Sequence, residues 1–182
     1  MIGVNKEKTI EEKRAALIIK YRNLKIDNEE RAGDIITYYL SRGEERFVMV
    51  CLIGQSTIGI AYIRDLKNLV DKVGAKKGIM VGSGKFTYSS KSSAPKLNVE
   101  LIPPTIPVFD IFEHKLVPRA EIVKEEEKAG LEKEFHAHLY QFPWIKVTDP
   151  VAIILGAEPG DVIKIISDSE TAGISSSYRY VV

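Results

Sequence analysis

The chain has 182 residues, 45% of them hydrophobic, one cysteine and a formal net charge of +1. That length allows one or two domains with real cores. It excludes an intrachain disulfide, and the longest apolar runs, such as "FVMVCLI" at 47–53, are strand-length and too short to cross a bilayer as helices.

The opening "MIGVNKEKTIEEKR" has no apolar segment of signal-peptide type. Cys51, inside an apolar run, reads as a buried structural thiol in a reducing compartment. The small net charge hides two unlike halves. Residues 1–108 carry 18 Lys+Arg against 12 Asp+Glu, a surplus of six. Residues 109–182 carry 8 against 13, a deficit of five. Residues 64–96 hold eight basic and two acidic side chains, which accounts for the whole surplus of the first half. Such asymmetry predicts two domains with different neighbours, although lysines that only solvate a surface give the same count.

In chain order, "KTIEEKRAALIIKYRNLK" spaces Leu17, Ile18, Tyr21 and Leu24 as one face of a helix. "DNEERAG" (27–33) breaks it. "DIITYYLS" and "RFVMVCLI", rich in β-branched and aromatic residues, flank "RGEE" and predict a β-hairpin. "GQSTIGIA" continues as turn and edge strand. "YIRDLKNLVDKVG" is a second helix, with Gly74 as its stop. "GIMVG" and "LNVELI" are strands, separated by the polar "SGKFTYSSKSSAP", a loop or weak helix. "PPTIP" (103–107) stiffens the chain and suits neither a helix interior nor a central strand. It marks the expected boundary between an α/β domain at 1–108 and a second unit at 109–182.

In that second unit "DIFEHKLVP" is strand-like, and "KEEEKAGLEKEFHAHLY" predicts an amphipathic helix with acidic residues in its first turn. "TDPVAIILGAEPGDVIKI" (148–165) is densely punctuated. Thr148 or Asp149 caps a helix that starts at Pro150 and ends at Gly156. "EPGD" makes a type II turn with Pro159 and Gly160, and "DVIKII" leaves as a strand. "ETAG" turns the chain, and "SSSYRYVV" returns as the last strand.

Little of this is reactive. "GSGK" (82–85) lacks the flanking residues of a phosphate loop. His136 and His138, two apart on a predicted helix, point about 200° apart and cannot share a metal. No serine has a nucleophile-elbow context, and Ser89, Ser90, Ser92 and Ser93 read as loop solvation. A helix followed by a hairpin is also how metal-dependent nucleases begin. They need an acid on one strand and an acid–x–Lys on the next to hold magnesium and orient water. Asp34 and Glu44 are the available acids. But Glu44 falls in the predicted turn, and Arg46 cannot replace a lysine as a base.

The segments "HKLVPRAEIV", "FPWIKVTDPVAIILGAEPGDVIKI" and "SETAGISSSYRYVV" resemble the small protein called H in archaeal RNA polymerases, which corresponds to the fifth-largest component of eukaryotic ones. The resemblance covers about residues 112–182. It departs at Ile153 and at Ser167–Asp168, where many relatives carry basic residues. It implies an α+β protein: a small C-terminal assembly domain (109–182) that docks on the largest polymerase subunit, and an N-terminal jaw (1–108) with a nuclease-like fold emptied of catalytic residues. The implied partners are the polymerase subunits and, without sequence specificity, downstream duplex DNA. No cofactor, metal, membrane or small-molecule substrate is implied. The compartment is the cytoplasm for an archaeal-like source, or the nucleus for a eukaryotic one. Candidate docking residues are Pro118, Asp149, Pro150, Gly156, Pro159, Gly160, Thr171, Gly173, Tyr178 and Arg179. Candidate DNA-proximal residues are Lys67, Lys72, Lys76, Lys77 and Lys85. The alternatives are a magnesium-dependent nuclease using Asp34 and Glu44, and a free nucleic-acid-binding module.

Overall fold

The computed structural model describes residues 8–169 and 173–182. The chain divides into two compact units, Met1–Phe109 and Asp110–Val182, and the whole is a mixed α+β fold.

Unit 1 runs α1 (Ile10–Tyr21), β1 (Lys25–Ala32), β2 (Ile35–Arg42), β3 (Glu45–Leu52), β4 (Thr57–Ile58), α2 (Ile60–Val73), β5 (Lys77–Gly82), β6 (Lys85–Phe86), α3 (Tyr88–Ser93) and β7 (Val99–Ile102). Helix α1 begins with a reciprocal cap, Thr9 accepting from the Glu12 amide while the Glu12 carboxylate accepts from the Thr9 amide. Five strands form a sheet in the order β1-β2-β3-β5-β7, antiparallel at the β1–β2–β3 end and parallel from β3 to β7. Central β3 is buried from Phe47 to Leu52, as a strand covered on both faces must be. Val48, Val50 and Leu52 pack against Ile63, Leu66 and Val70 of α2. Phe47, Met49 and Cys51 alternate to the other face, where α1 contacts β3 and β5. Full burial of a side chain such as Leu66 stabilises by about 2 kcal/mol. Helix α2 lies close because Gly78 is bare: a Cβ there would stand 2.9 Å from Leu66.

Two expectations change here. The "DNEERAG" segment is not a break but most of β1, an edge strand exposed along its whole length. In the serine-rich stretch, left open as a loop or weak helix, the helix forms as α3 beside the short β6; what changes is the expectation that its serines only solvate a loop. Ser90 in it is fully buried and donates to the Ile58 carbonyl at 2.9 Å, so it is structural rather than solvating. Nor is "GSGK" an open phosphate cradle, because a Cβ on Gly84 would collide with the Gln55 carbonyl oxygen, leaving no room for a side chain.

Unit 2 contains β8 (Arg119–Ile122), α4 (Glu125–Phe135), β9 (Trp144–Ile145), α5 (Pro150–Leu155), β10 (Val162–Ser169) and β11 (Gly173–Val181), with sheet order β8-β10-β11-β9. On one face Val162, Tyr178 and Tyr180 pack with Val123, Leu131 and Phe142. On the other, Ile163 and Val181 are fully buried, as are Ala152 and Ile154 of α5. The strand expected at "DIFEHKLVP" is instead a 3-10 turn at Ile111–Glu113, capped by Asp110 accepting from the Phe112 amide at 3.1 Å. Helix α4 stops earlier than its periodicity suggests, because His136 takes the left-handed conformation (φ 47°). His136 and His138 therefore lie beyond the helix, not on it.

Candidate functional site

In a nuclease of this architecture the carboxylates must converge. Asp34 lies in the β1–β2 turn, and Glu44 in the β2–β3 turn at the far end of β2. At ~3.3 Å per residue the intervening strand separates them by about 25 Å, so they cannot hold one ion. This corrects the magnesium-nuclease alternative. Asp34 is in register with the end of β3, its carbonyl accepting from the Ile53 amide at 2.8 Å. Asp34 therefore opposes Ile53, and the β3 residues on its face within the strand are Met49 and Cys51, both fully buried and neither a carboxylate nor a lysine. Burial pushes the Cys51 thiol far above its ordinary range, an effect reinforced by the surrounding Glu11, Glu12 and Glu29. Among the described residues no three His, Cys, Asp or Glu side chains are grouped to hold a metal.

The charged groups of unit 1 serve the fold first. Arg14, buried on α1, donates from Nε to the Ile106 carbonyl at 2.8 Å and from Nη2 to the Pro104 carbonyl at 2.5 Å, fixing the proline segment to the helix. Arg22, at the C-cap of α1, makes a two-pronged pair with Glu100 on β7 at 2.9 and 2.6 Å, and Lys77 joins at 3.4 Å. Burial raises the Glu100 pKa, but the two cations outweigh it and hold the carboxyl below its usual range.

The five candidate lysines do not form one surface. Lys72 ends α2, while Lys76 and Lys77 stand at the start of β5. Exposed Arg46 and Lys96 occupy the same end of the sheet, since the Lys76 amide donates to the Arg46 carbonyl at 2.7 Å and Asn98 bonds the Lys76 carbonyl. Lys85 follows the opposite end of β5, about 20 Å away by strand rise. Lys67 lies midway on α2. Three of the five have intramolecular partners: Lys67 with Asp71 at 2.6 Å, Lys76 with Glu45, and Lys77 with Glu100. Arg46 was outside the basic stretch of sequence, and only the register of β3 with β5 places it here.

The candidate docking residues of unit 2 also separate. Asp149 caps α5 by accepting from the Val151 amide at 2.8 Å, Pro150 is its first residue, and Gly156 ends it with φ 75°. Pro159 and Gly160 (φ 98°) shape the turn into β10. Exposed Pro118 and Gly173 stand at the other end of the sheet, some 25 Å along β11. Between them Tyr178 packs edge-on with Phe135 at 5.5 Å, and Arg179 pairs with Ile163 in the ladder. Thr171 lies outside the described residues.

Sequence reasoning missed an exposed aromatic group beside β9. Tyr140 and Trp144 are 59% and 68% exposed, the Trp144 indole donates to the Tyr140 carbonyl at 3.0 Å, and His138 stacks on Tyr140 at 5.4 Å. Large aromatics held in solvent are typical of protein interfaces. The signal was present in "YQFPW" but had no apolar periodicity to single it out.

Comparison with known proteins divides the chain along the same lines. Residues 109–181 match the family described as RNA polymerase Rpb5, C-terminal domain, and residues 20–104 match one described as restriction endonuclease. DNA-directed RNA polymerase subunit Rpo5 of Methanococcoides burtonii is 43% identical over 74 residues, 41% of this chain and 95% of that protein. The Rpo5 proteins of Thermococcus kodakarensis and Sulfolobus acidocaldarius are 50% and 49% identical over the same length, 41% of this chain in each case and 90% and 88% of theirs. The nuclease-like unit 1 is thus followed in the chain by a unit similar to nearly the whole of an archaeal Rpo5.

Proposed function

Because the chain belongs to the Rpo5 family of RNA polymerase subunits, we propose that it is a non-catalytic subunit of a multisubunit DNA-directed RNA polymerase. Residues 109–182 form an assembly domain that docks on the largest subunit. Residues 1–108 form a jaw beside downstream duplex DNA. The observation that carries this reading is the 43–50% identity to Rpo5 proteins across 88–95% of their length. The buried Met49 and Cys51, which share Asp34's face of β3, support a jaw that keeps a nuclease-like sheet without its chemistry. No helix among the described residues is long and apolar enough to cross a membrane, and we place the complex in the cytoplasm of an archaeal-type cell.

Docking draws on the braced block of Asp149, Pro150, Gly156, Pro159 and Gly160, which sets backbone shape, and on the aromatic pair Tyr140–Trp144. An interface of about 800 Å² per side is usual for a stable complex. On the jaw, Lys72, Lys76 and Lys77, joined by Arg46 and Lys96, supply non-specific phosphate attraction. Lys67 and Lys85 stand further from that group. Affinity purification of the tagged full chain from its native cells tests the first claim. The two largest polymerase subunits are expected in the eluate, and their absence rejects the reading. For the second claim, replacing Lys72, Lys76 and Lys77 with glutamine lowers retention of downstream DNA. It also reduces the salt slope by about 0.9 for each phosphate no longer neutralised. Unchanged retention at low salt removes DNA from the role of the jaw.

A further inference from the structure

Strands β10 and β11 pair over their full length, from Val162↔Tyr180 to Ser169↔Gly173. Their outer neighbours are shorter. Strand β8 reaches only Ile163–Ile166, and β9 meets β11 only at Tyr180 and Val181. Ladder parity identifies the groups left open. The amides of Tyr180 and Val182 donate outward, to Pro143 at 2.9 Å and Ile145 at 3.0 Å, while the Val181 amide donates to Asp161 on the β10 side. Successive residues of a strand direct N–H and C=O to opposite sides, so the even-numbered residues of β11 face the β9 side. Ile174 and Ser176 do so where β9 no longer reaches. Both lie in the segment 173–177, which is exposed throughout, with Ile174 77% exposed.

Natural sheets blunt free edges with charge, proline or a bulge. The free edge of β1 in the same chain does so, with Lys25, Asp27, Glu29, Glu30 and Arg31 and a register shift between Ile26 and Asn28. The segment Gly173-Ile-Ser-Ser-Ser177 has no charge, no proline and no register shift. One edge is defended and the other is left receptive.

We propose that the edge of β11 at residues 173–177 receives an extended strand from a partner polypeptide, which adds to the sheet in the line of β9. This inference rests on the polymerase-subunit reading, and the partner is the large subunit to which the assembly domain docks. A strand in that line runs toward Trp144 on β9, so one partner covers both the open edge and the exposed aromatics. A second copy of this chain fits less well. Two five-residue edges paired about a two-fold axis bury far less than the ~800 Å² per side of a stable interface. Strand addition draws affinity from main-chain hydrogen bonds and tolerates varied side chains, which suits a run of serines.

The test is co-expression of the full chain with the largest polymerase subunit of the same source, followed by affinity capture. Ser176→Pro removes one outward N–H and leaves the β10 ladder, made by the odd-numbered residues, intact. Its expected result is an unchanged melting temperature with capture reduced at least roughly tenfold, while Ser176→Ala is captured like the unaltered chain. Should proline disturb the fold, Ile174→Lys with Ser176→Lys installs the edge chemistry of β1 and is expected to give the same loss. Full capture of these variants overturns the inference. So does equal loss with Ser176→Ala, which assigns the contact to the side chain. A dimer of the free chain that Ser176→Pro abolishes overturns it in favour of a second copy. Failure of the unaltered chain to be captured instead rejects the polymerase reading itself, and this inference with it.

Discussion

The Arg22–Glu100 pair is the most informative place to perturb the jaw. Arg22 is 8% exposed and Glu100 20%, and two hydrogen bonds at 2.9 and 2.6 Å join the end of α1 to the edge strand β7. Removing one partner of a buried, doubly bonded pair leaves the other charge desolvated, at a cost of about 3 kcal/mol. For a unit of roughly 100 residues that lowers the melting temperature by ~10 °C or more. Glu100→Ala and Arg22→Ala are each expected to show this loss. The double replacement should cost little more than either alone, a coupling of about 2 kcal/mol. The linkage has a definite sign. The Glu100 pKa is depressed in the folded state, so its stabilisation is complete above the unfolded carboxylate value near ~4.3. It is lost as pH falls through the lower folded value, and Arg22→Ala should flatten this acid limb. The sole tryptophan, Trp144, reports on unit 2, so unit 1 is followed by hydrogen exchange of β5 and β7 amides. Strictly additive single losses would refute the reasoning.

Other perturbations address the remaining elements. Asp149→Ala removes the cap of α5 and should destabilise unit 2 by about 1 kcal/mol, read from Trp144 fluorescence in a urea titration; an unshifted midpoint contradicts the capping role. Gly160→Val places a β-branched residue at φ 98°, where a Cβ would meet nothing nearer than the Tyr180 hydroxyl at 4.0 Å, so its cost of ~1–2 kcal/mol is backbone strain alone. Replacing Gly160 with D-alanine should restore stability. Cys51 is fully buried with its thiol pushed upward, and a thiol reagent should modify it only on unfolding. Prompt labelling of the native chain would contradict its position. Burial pushes Tyr38 up to about 12, so alkaline difference spectra should show one tyrosine ionising well after the exposed ones.

Legibility followed the range of the forces involved. Helix α2, α5 and the β2–β3 hairpin were readable because their signals are local: Gly74 and Gly156 in left-handed caps, Asp149 before Pro150, and Gly43 at φ 62° between two apolar runs. Strand β1 was not, because it is exposed on both faces and so has no alternation to detect. The premature end of α4 at His136 has no glycine to announce it. The lysine-rich stretch gave a correct account of charge but not of place. Four of its residues, Lys72, Lys76, Lys77 and Lys96, gather at one end of the parallel strands, while Lys85 follows the other end of β5. Arg46 joins the group only through tertiary register.

In both units the distinctive residues set shape rather than present a reacting group, and the physical reason is shared. In unit 1 the β3 positions that share a face with Asp34, where a nuclease would place an acid and a lysine, carry Met49 and Cys51, which add to the core. A carboxylate there would have to be desolvated and would require a metal or a cation to hold it. In unit 2 the distinctive residues are turn formers and caps, whose value is geometric. Neither unit devotes its special residues to a reacting group. Both use them to keep surfaces in fixed shape: a lysine-bearing sheet end in one, and an aromatic pair with a bare strand edge in the other. Rigid presentation of inert surfaces is what a component of a larger machine requires. The strand edge is then the sharpest discriminator, because an isolated protein gains nothing from leaving Ile174 and Ser176 undefended while it charges five of the eight positions of β1.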